Sequence, residues 1–274
     1  MSCRRLSAKF GVLFFFLFLS IPSTRADGFS YSDFSSTAGL TLTGAATQQG
    51  SMLRLTPDAT YQQGSAWYTE QMSVQNGFTT QFQFQVTNTV NQGVEADGIW
   101  FLVQTAGLLG GRDTALEANS VWIEFDTYQN PWDPNGNHIA VMSCGASLPS
   151  TFITDHLNGC TQGINANLPV TLADGSVHTS NITYLDGEMG IALDGTQVLN
   201  VPINLNAINL NNGNAWVGFA TTTGDGAENN DILSWSFRSS PAPVPEPATL
   251  GMLAAGLVGI ALLRKRVRAG STAL

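Results

Sequence analysis

Positive charge is scarce in this chain, and most of it lies at the ends. Of 274 residues only 11 are Lys or Arg, and eight of these are terminal: Arg4, Arg5, Lys9 and Arg25, then Arg264, Lys265, Arg266 and Arg268. Between Asp27 and Ser240, Arg54, Arg112 and Arg238 face 19 acids, a net of −16. Such a surface repels phosphate backbones, which excludes nucleic acid as a partner. Charged residues of both signs make up only 11%, too few for coiled coils or long surface helices. Cysteine is equally sparse. Cys144 and Cys160 are spaced too widely for a redox CxxC pair and have no companions to build a zinc site; Cys3 lies in the leader described next. Against these absences, 43% hydrophobic and 9% aromatic residues supply a sizeable core and exclude a wholly disordered chain.

The two ends read as addresses. Residues 1–26 have the grammar of a secretory signal: Arg4, Arg5 and Lys9, the apolar run Phe10 to Leu19, then small residues at Thr24 and Ala26 before Asp27. Ten apolar residues are too short to span about 30 Å of hydrocarbon. At the other end a linker and Pro-Glu-Pro motif occupy 241–247, and 248–274 hold an apolar stretch, Ala248 to Leu263, closed by Arg264, Lys265 and Arg266. Sixteen helical residues cover only about 24 Å, and the basic cluster would hold that segment in the membrane. Motif, short span and basic cluster in this order resemble the PEP-CTERM sorting signal of exopolysaccharide-producing Gram-negative bacteria. The resemblance implies transient membrane anchorage, removal of the tail by an exosortase and delivery to the cell surface. A permanent C-terminal anchor is the alternative. In an oxidising compartment Cys144 and Cys160 suit a structural disulfide, worth about 3 kcal/mol for a loop of this length.

Residues 27–240 read as one all-β domain. Phe82, Phe84 and Val86 alternate with Gln83 and Gln85, the period of two of a half-buried strand. Ile99 to Val103, Val121 to Ile123, Trp216 to Ala220 and Ile232 to Phe237 are further short strand runs. Asp186-Gly187 and Asp194-Gly195 separate such runs as hairpin turns do. No amphipathic helix of three turns and no internal repeat interrupts the pattern, so a single antiparallel sandwich is expected.

The segment that carries chemistry is Val121 to Val141, VWIEFDTYQNPWDPNGNHIAV. On a strand, Glu124, Asp126 and Tyr128 share one face, and adjacent carboxylates repel unless a cation sits between them. Asp126, Asn130 and Asp133 with a main-chain carbonyl suit hard Ca²⁺; Glu124 and His138 suit a first-row ion such as Mn²⁺. A solvated strand face followed by a turn is the plainer reading of the same residues. His156 and His178 have no clustered partners in the sequence and receive no role. Trp100, Trp122, Trp216 and Trp235 sit in strand runs and read as core, whereas Trp132 in the loop is placed to meet a ligand.

EFDTYQN followed by DP and HIAV resembles the metal loop of legume-type (L-type) lectins. Phe29 to Thr47, the Ala96-Asp97-Gly98-Ile99 segment and Trp216 to Phe237 resemble that family's first strands, its ADG segment and its closing strands, in the family's order. The resemblance implies a concanavalin-like β-sandwich (jelly roll) that binds carbohydrate. It implies that Glu124 and His138 hold Mn²⁺ or another first-row ion, that Asp126 and Asp133 bridge it to Ca²⁺, and that Asn130 and the Tyr128 carbonyl complete the calcium shell. Asp97 would accept bonds from two sugar hydroxyls, Asn130 would donate one, and Tyr128 would stack on the ring. The glycine-bearing sugar loop is abbreviated to AGLLGG at 106–111, with Gly107 the best match for the sugar-contacting N–H and Gly110 or Gly111 as alternatives. In the last loop, Gly224 to Asn230, the expected contacts are Asp225, Gly226 and Ala227. Asn130 and Asp133 stand one residue closer together than in typical plant members. Glycoside hydrolases share the sandwich, but they need a third acid where this strand has Tyr128, so no enzyme activity is expected. A structural coat protein that keeps the sandwich without sugar binding is the remaining alternative to a lectin of the cell surface or exopolysaccharide matrix.

Overall fold

A computed structural model of the chain describes residues 27–87, 94–107 and 118–240, together with Gly256. The expected signal peptide, the linker with its Pro-Glu-Pro motif, the rest of the apolar tail, Gly110 and Gly111 lie outside the described residues. Within them, sixteen strands numbered in chain order form two antiparallel sheets. The back sheet runs β14 (Thr196–Pro202), β13 (Glu188–Leu193), β12 (Val177–Leu185), β7 (Phe78–Thr87), β16 (Asn229–Ser239), β4 (Met52–Thr56) and β3 (Thr47–Gln49), with β1 (Gly28–Tyr31) also paired to β16. The front sheet runs β11 (Thr161–Asn165), β10 (His138–Gly145), β9 (Ser120–Asp126), β8 (Gly98–Gln104), β15 (Asn214–Thr222), β5 (Gln63–Tyr68) and β2 (Leu40–Gly44), with β6 (Met72–Ser73) beside β15.

Side-chain alternation sets the faces. In β7, Phe78, Thr80, Phe82, Phe84 and Val86 point inward while the residues between them face outward. Between the sheets Phe82 meets Phe219 edge-on at 4.9 Å and Phe125 at 5.6 Å, and Phe219 meets Trp235 at 4.7 Å. Each such pair adds about 0.5–1.5 kcal/mol beyond area burial. The Asp-Gly turns form as read: Asp186 and Gly187, then Asp194 and Gly195, all take positive φ, the combination that matches the twist of a two-residue hairpin.

The front sheet differs from a simple half-buried sheet because β8 and β9 are buried at every residue. Val121, Ile123 and Phe125 enter the main core. Their neighbours Trp100, Leu102 and Trp122 form a second apolar cluster on the outer face with Trp67, Ala140, Met142, Ile153 and Cys160. Residues 146–159 cover that face. Their ends are joined by a disulfide between Cys144 and Cys160, whose Cα atoms are 4.8 Å apart, and the fully buried Ile153 anchors the middle. This covering loop bears directly on the site.

Candidate metal and ligand site

The hairpin between β9 and β10 builds the centre. Antiparallel register sets His138 opposite Asp126 and Ala140 opposite Glu124, so the two acids and the imidazole gather at one end of the front sheet. Glu124 is 1% exposed and His138 fully buried. One oxygen of Glu124, Oε1, accepts the Trp100 indole N–H at 3.0 Å; the other, Oε2, is buried and meets no hydrogen-bond geometry among the described residues. Two imidazole nitrogens face Oε2, His156 Nε2 at 3.4 Å and His138 Nε2 at 3.5 Å. These nitrogens lie 3.0 Å from each other. Asp133 Oδ1 is 3.5 Å from His156 Nε2, and Asp126 Oδ1 is 3.7 Å from His138 Nδ1. In the loop, Tyr128 N–H donates to Asp126 Oδ1 at 2.8 Å and Asn130 N–H to Asp133 Oδ2 at 2.6 Å.

The electrostatics are those of crowded, buried acids. Burial, then the neighbouring Glu124 and Asp133, push the Asp126 carboxyl up to about 10. Burial raises Asp133 to about 6. Burial is the largest influence and alone would raise Glu124 and lower His138, but their mutual contact outweighs it together with His156 and Trp100 at Glu124 and with Asn135 and Asp133 at His138, so Glu124 falls and His138 rises. When protonated, His138 partly neutralises the acids around it, as a divalent ion would. With an orphaned buried carboxylate oxygen at its centre, the donor set fits such an ion.

Of the expected ligand-facing residues, all the described ones except Gly107 come together beside it. Asp97 follows a cis peptide bond from Ala96, and the next residue, Gly98, pairs with Asp126. Asp97 is half-buried; its N–H donates to the Thr222 carbonyl at 3.1 Å, and its Oδ2 accepts the Thr222 hydroxyl at 2.9 Å. Ala227 N–H donates to the Val94 carbonyl at 3.1 Å, which seats the 224–228 loop against the Asp97 segment. Gly226 packs against the same segment, since an added Cβ would lie 2.8 Å from both Val94 O and Ala96 Cβ. Tyr128 and Asn130 are half-buried on the hairpin. Trp132 is half-buried too, and its indole N–H has no partner among the described residues.

Two expectations need correction. Gly107 lies at the wrong end: β8 places Gly98 against Asp126 and Gln104 against Ser120, and Gln104 holds the Gly107 carbonyl through its side-chain amide. Three residues reach at most about 11 Å, whereas a seven-residue strand is about 20 Å long, so Gly107 does not return to Asp97. Tyr128 is not a strand-face residue, because β9 ends at Asp126 and the chain has already turned.

Three residues escaped the sequence reading. His156 joins Glu124 and His138, their ligand atoms all within 4.8 Å of one another. Glu228, fully buried, accepts Gly98 N–H at 2.8 Å and the Thr127 hydroxyl at 2.9 Å, tying the Asp97 segment, the β9–β10 hairpin and the last loop together. Tyr61 is 63% exposed; its N–H donates to the Gly224 carbonyl at 3.0 Å and its hydroxyl to Asp225, so an aromatic ring stands on the rim of the same loop. The single histidine inside the Cys144–Cys160 interval was the one available signal for the first. Glu228 and Tyr61 carry no local pattern.

The legume lectin domain model matches residues 26–251. The chain belongs to the legume lectin domain family. A PEP-CTERM protein-sorting motif matches residues 243–266, of which only Gly256 is among the described residues. Lectin DB58 of Vigna unguiculata subsp. cylindrica is 30% identical over 87% of this chain and 92% of its own length. Bark agglutinin I polypeptide B of Robinia pseudoacacia is 30% identical over 60% of this chain and 58% of its own; with that relative the match spans little more than half its length. Among solved structures, the lectin of Bauhinia forficata in complex with GalNAc superposes with a TM-score of 0.64 at 23% identity, over 80% of this chain and all of that one. The winged bean acidic lectin complexed with methyl-α-D-galactose gives 0.63 at 24% identity, with the same coverage. The legume lectin domain here thus has the concanavalin-like β-sandwich of those structures.

Proposed function

We propose that this protein is a non-catalytic, metal-dependent lectin, exported and sorted to the bacterial cell surface or exopolysaccharide matrix, its C-terminal segment removed by an exosortase. The observation that carries the reading is a convergence: the Asp97 segment, the 224–228 loop and the metal hairpin meet at one end of the front sheet around buried Glu228. Family membership and sugar-bound solved relatives support it.

Glu124, Asp126, Asp133 and His138 hold a first-row ion in this reading, and Asp126, Asn130, Asp133 and the Tyr128 carbonyl hold Ca²⁺. The ions supply fixed positive charge that deprotonates the acids and locks the loop before ligand arrives. Asp97 then accepts from two vicinal sugar hydroxyls, a pairing that suits a carboxylate's two oxygens. Asn130 donates through its amide, and Asp225, Gly226 and Ala227 line the far side. Tyr128 and Tyr61 offer rings for the apolar C–H face of a pyranose. Glu124 and Asp126 are engaged by imidazoles and backbone, and their strand carries no third acid, which supports a binding role over hydrolysis. A glycan array with Ca²⁺ and Mn²⁺ tests the reading. Wild type binds a defined sugar class, whereas Asp97→Ala loses binding at least about 50-fold with its melting temperature nearly unchanged. An Asp97→Ala protein that binds as well as wild type places the ligand elsewhere.

A further inference from the structure

We infer that His156, delivered by the disulfide-closed loop, is a ligand of the first-row ion, making a two-imidazole site that favours Zn²⁺ over Mn²⁺. The inference rests on the reading that the β9–β10 hairpin holds metal, and goes beyond it in ligand and in ion.

The geometry begins with three atoms: Glu124 Oε2, His138 Nε2 and His156 Nε2, separated by 3.5, 3.4 and 3.0 Å. The in-plane point equidistant from all three lies about 1.9 Å from each, so an ion close to that plane can meet all three at the 2.0–2.2 Å of Zn–N and Zn–O bonds. Each atom is directed there by its other contacts. The Asn135 carbonyl, 2.9 Å from His138 Nδ1, can only accept, so that nitrogen carries the proton and a neutral His138 offers its lone pair on Nε2. His156 Nδ1 sits 3.0 Å from the Thr161 hydroxyl, which leaves Nε2 for the centre. Glu124 Oε1 is occupied by Trp100, which leaves Oε2. Two lone pairs facing at 3.0 Å repel unless a proton or a cation lies between them. Asp133 Oδ1, 3.5 Å from His156 Nε2, supplies a further oxygen.

His156 owes this position to the loop that carries it. The disulfide closes the loop's ends, Ile153 plugs into the tryptophan cluster, and Asp155 accepts the Leu157 N–H at 2.9 Å immediately beyond the histidine. The His156 side chain is consequently only 7% exposed. A second imidazole changes the preference of the site, because nitrogen donors favour Zn²⁺ and its neighbours in the first row whereas carboxylate-rich sets suit Mn²⁺.

X-ray absorption on the purified, Zn²⁺-loaded chain, with Zn²⁺ and Mn²⁺ competition against a chromophoric chelator, tests this. Two imidazoles are expected in wild type and one in His156→Gln. The variant's Zn²⁺-to-Mn²⁺ affinity ratio is expected to fall at least about tenfold, as loss of a nitrogen donor requires. The wild-type spectrum alone decides the ligand count should the variant fold poorly. One imidazole in wild type, or a His156→Gln ratio within twofold of it, overturns the assignment; if His138→Gln has meanwhile lost metal, the hairpin itself stands. Wild type that binds neither ion overturns both.

Discussion

Glu228 offers a sharp test of how this end of the sandwich is built. It is fully buried yet carries a carboxyl, and burial, reinforced by nearby Asp97, raises it to about 7 from an ordinary 4.5. An acid raised on folding is most stabilising while protonated in both states. Its contribution is therefore fully present below about pH 4.5 and is lost as pH climbs to about 7. A shift of that size corresponds to about 3 kcal/mol above both values. Protonated Glu228 accepts from Gly98 N–H through Oε1 and can donate from Oε2 to the Thr127 hydroxyl; glutamine reproduces both bonds without a charge. Glu228→Gln in the metal-free protein should thus be neutral at pH 4.5 and more stable than wild type by about 2–3 kcal/mol at pH 8.5. Urea unfolding at a series of pH values reads this directly, and the difference between the two proteins cancels all other titrating groups. Parallel curves for variant and wild type would refute the reasoning, as would a variant less stable at high pH.

Stability should also depend on pH with opposite signs in the two metal states. Metal-free protein should lose stability as pH rises from about 4 to 7, because Asp133 and Asp126 are raised to about 6 and about 10. Metal-loaded protein, whose ligands are already ionised, should gain it over the same range. Calorimetric melting in both states checks this, and equal slopes contradict it. Replacing both Cys144 and Cys160 by Ser should cost about 3 kcal/mol in the chain-entropy description, measured by denaturant unfolding. The same variant should weaken Zn²⁺ binding more than Ca²⁺ binding, because only His156 rides on that loop; equal losses would show general unfolding of the site.

What the sequence disclosed follows from how local each signal is. The β7 alternation and the Asp-Gly turns lie within a few residues of one another, and both form as read. The gathering of Glu124, Asp126 and His138 on the β9–β10 hairpin was legible for the same reason, because register alone brings them together. Trp100 and Trp122 were read as core, and they are, but on the outer face of the front sheet. Unbroken runs such as IWFLV announce burial on two sides without saying what covers the second. That cover is the Cys144–Cys160 loop, whose path is set by long-range packing, and His156 was invisible until that path was known. Glu228 and Tyr61 act across more than a hundred residues of chain, beyond any periodicity. Gly107 was misplaced because a motif match ignores how far a strand carries the chain.

The central claim is that divalent ions on one hairpin shape a neighbouring saccharide site. Binding of an immobilised glycan before EDTA treatment, after it, and after readdition of Ca²⁺ with Zn²⁺ or Mn²⁺ tests it most directly. Binding should be lost on chelation and fully restored on reloading; glycan binding that persists in protein shown by elemental analysis to be metal-free would contradict a metal-dependent site.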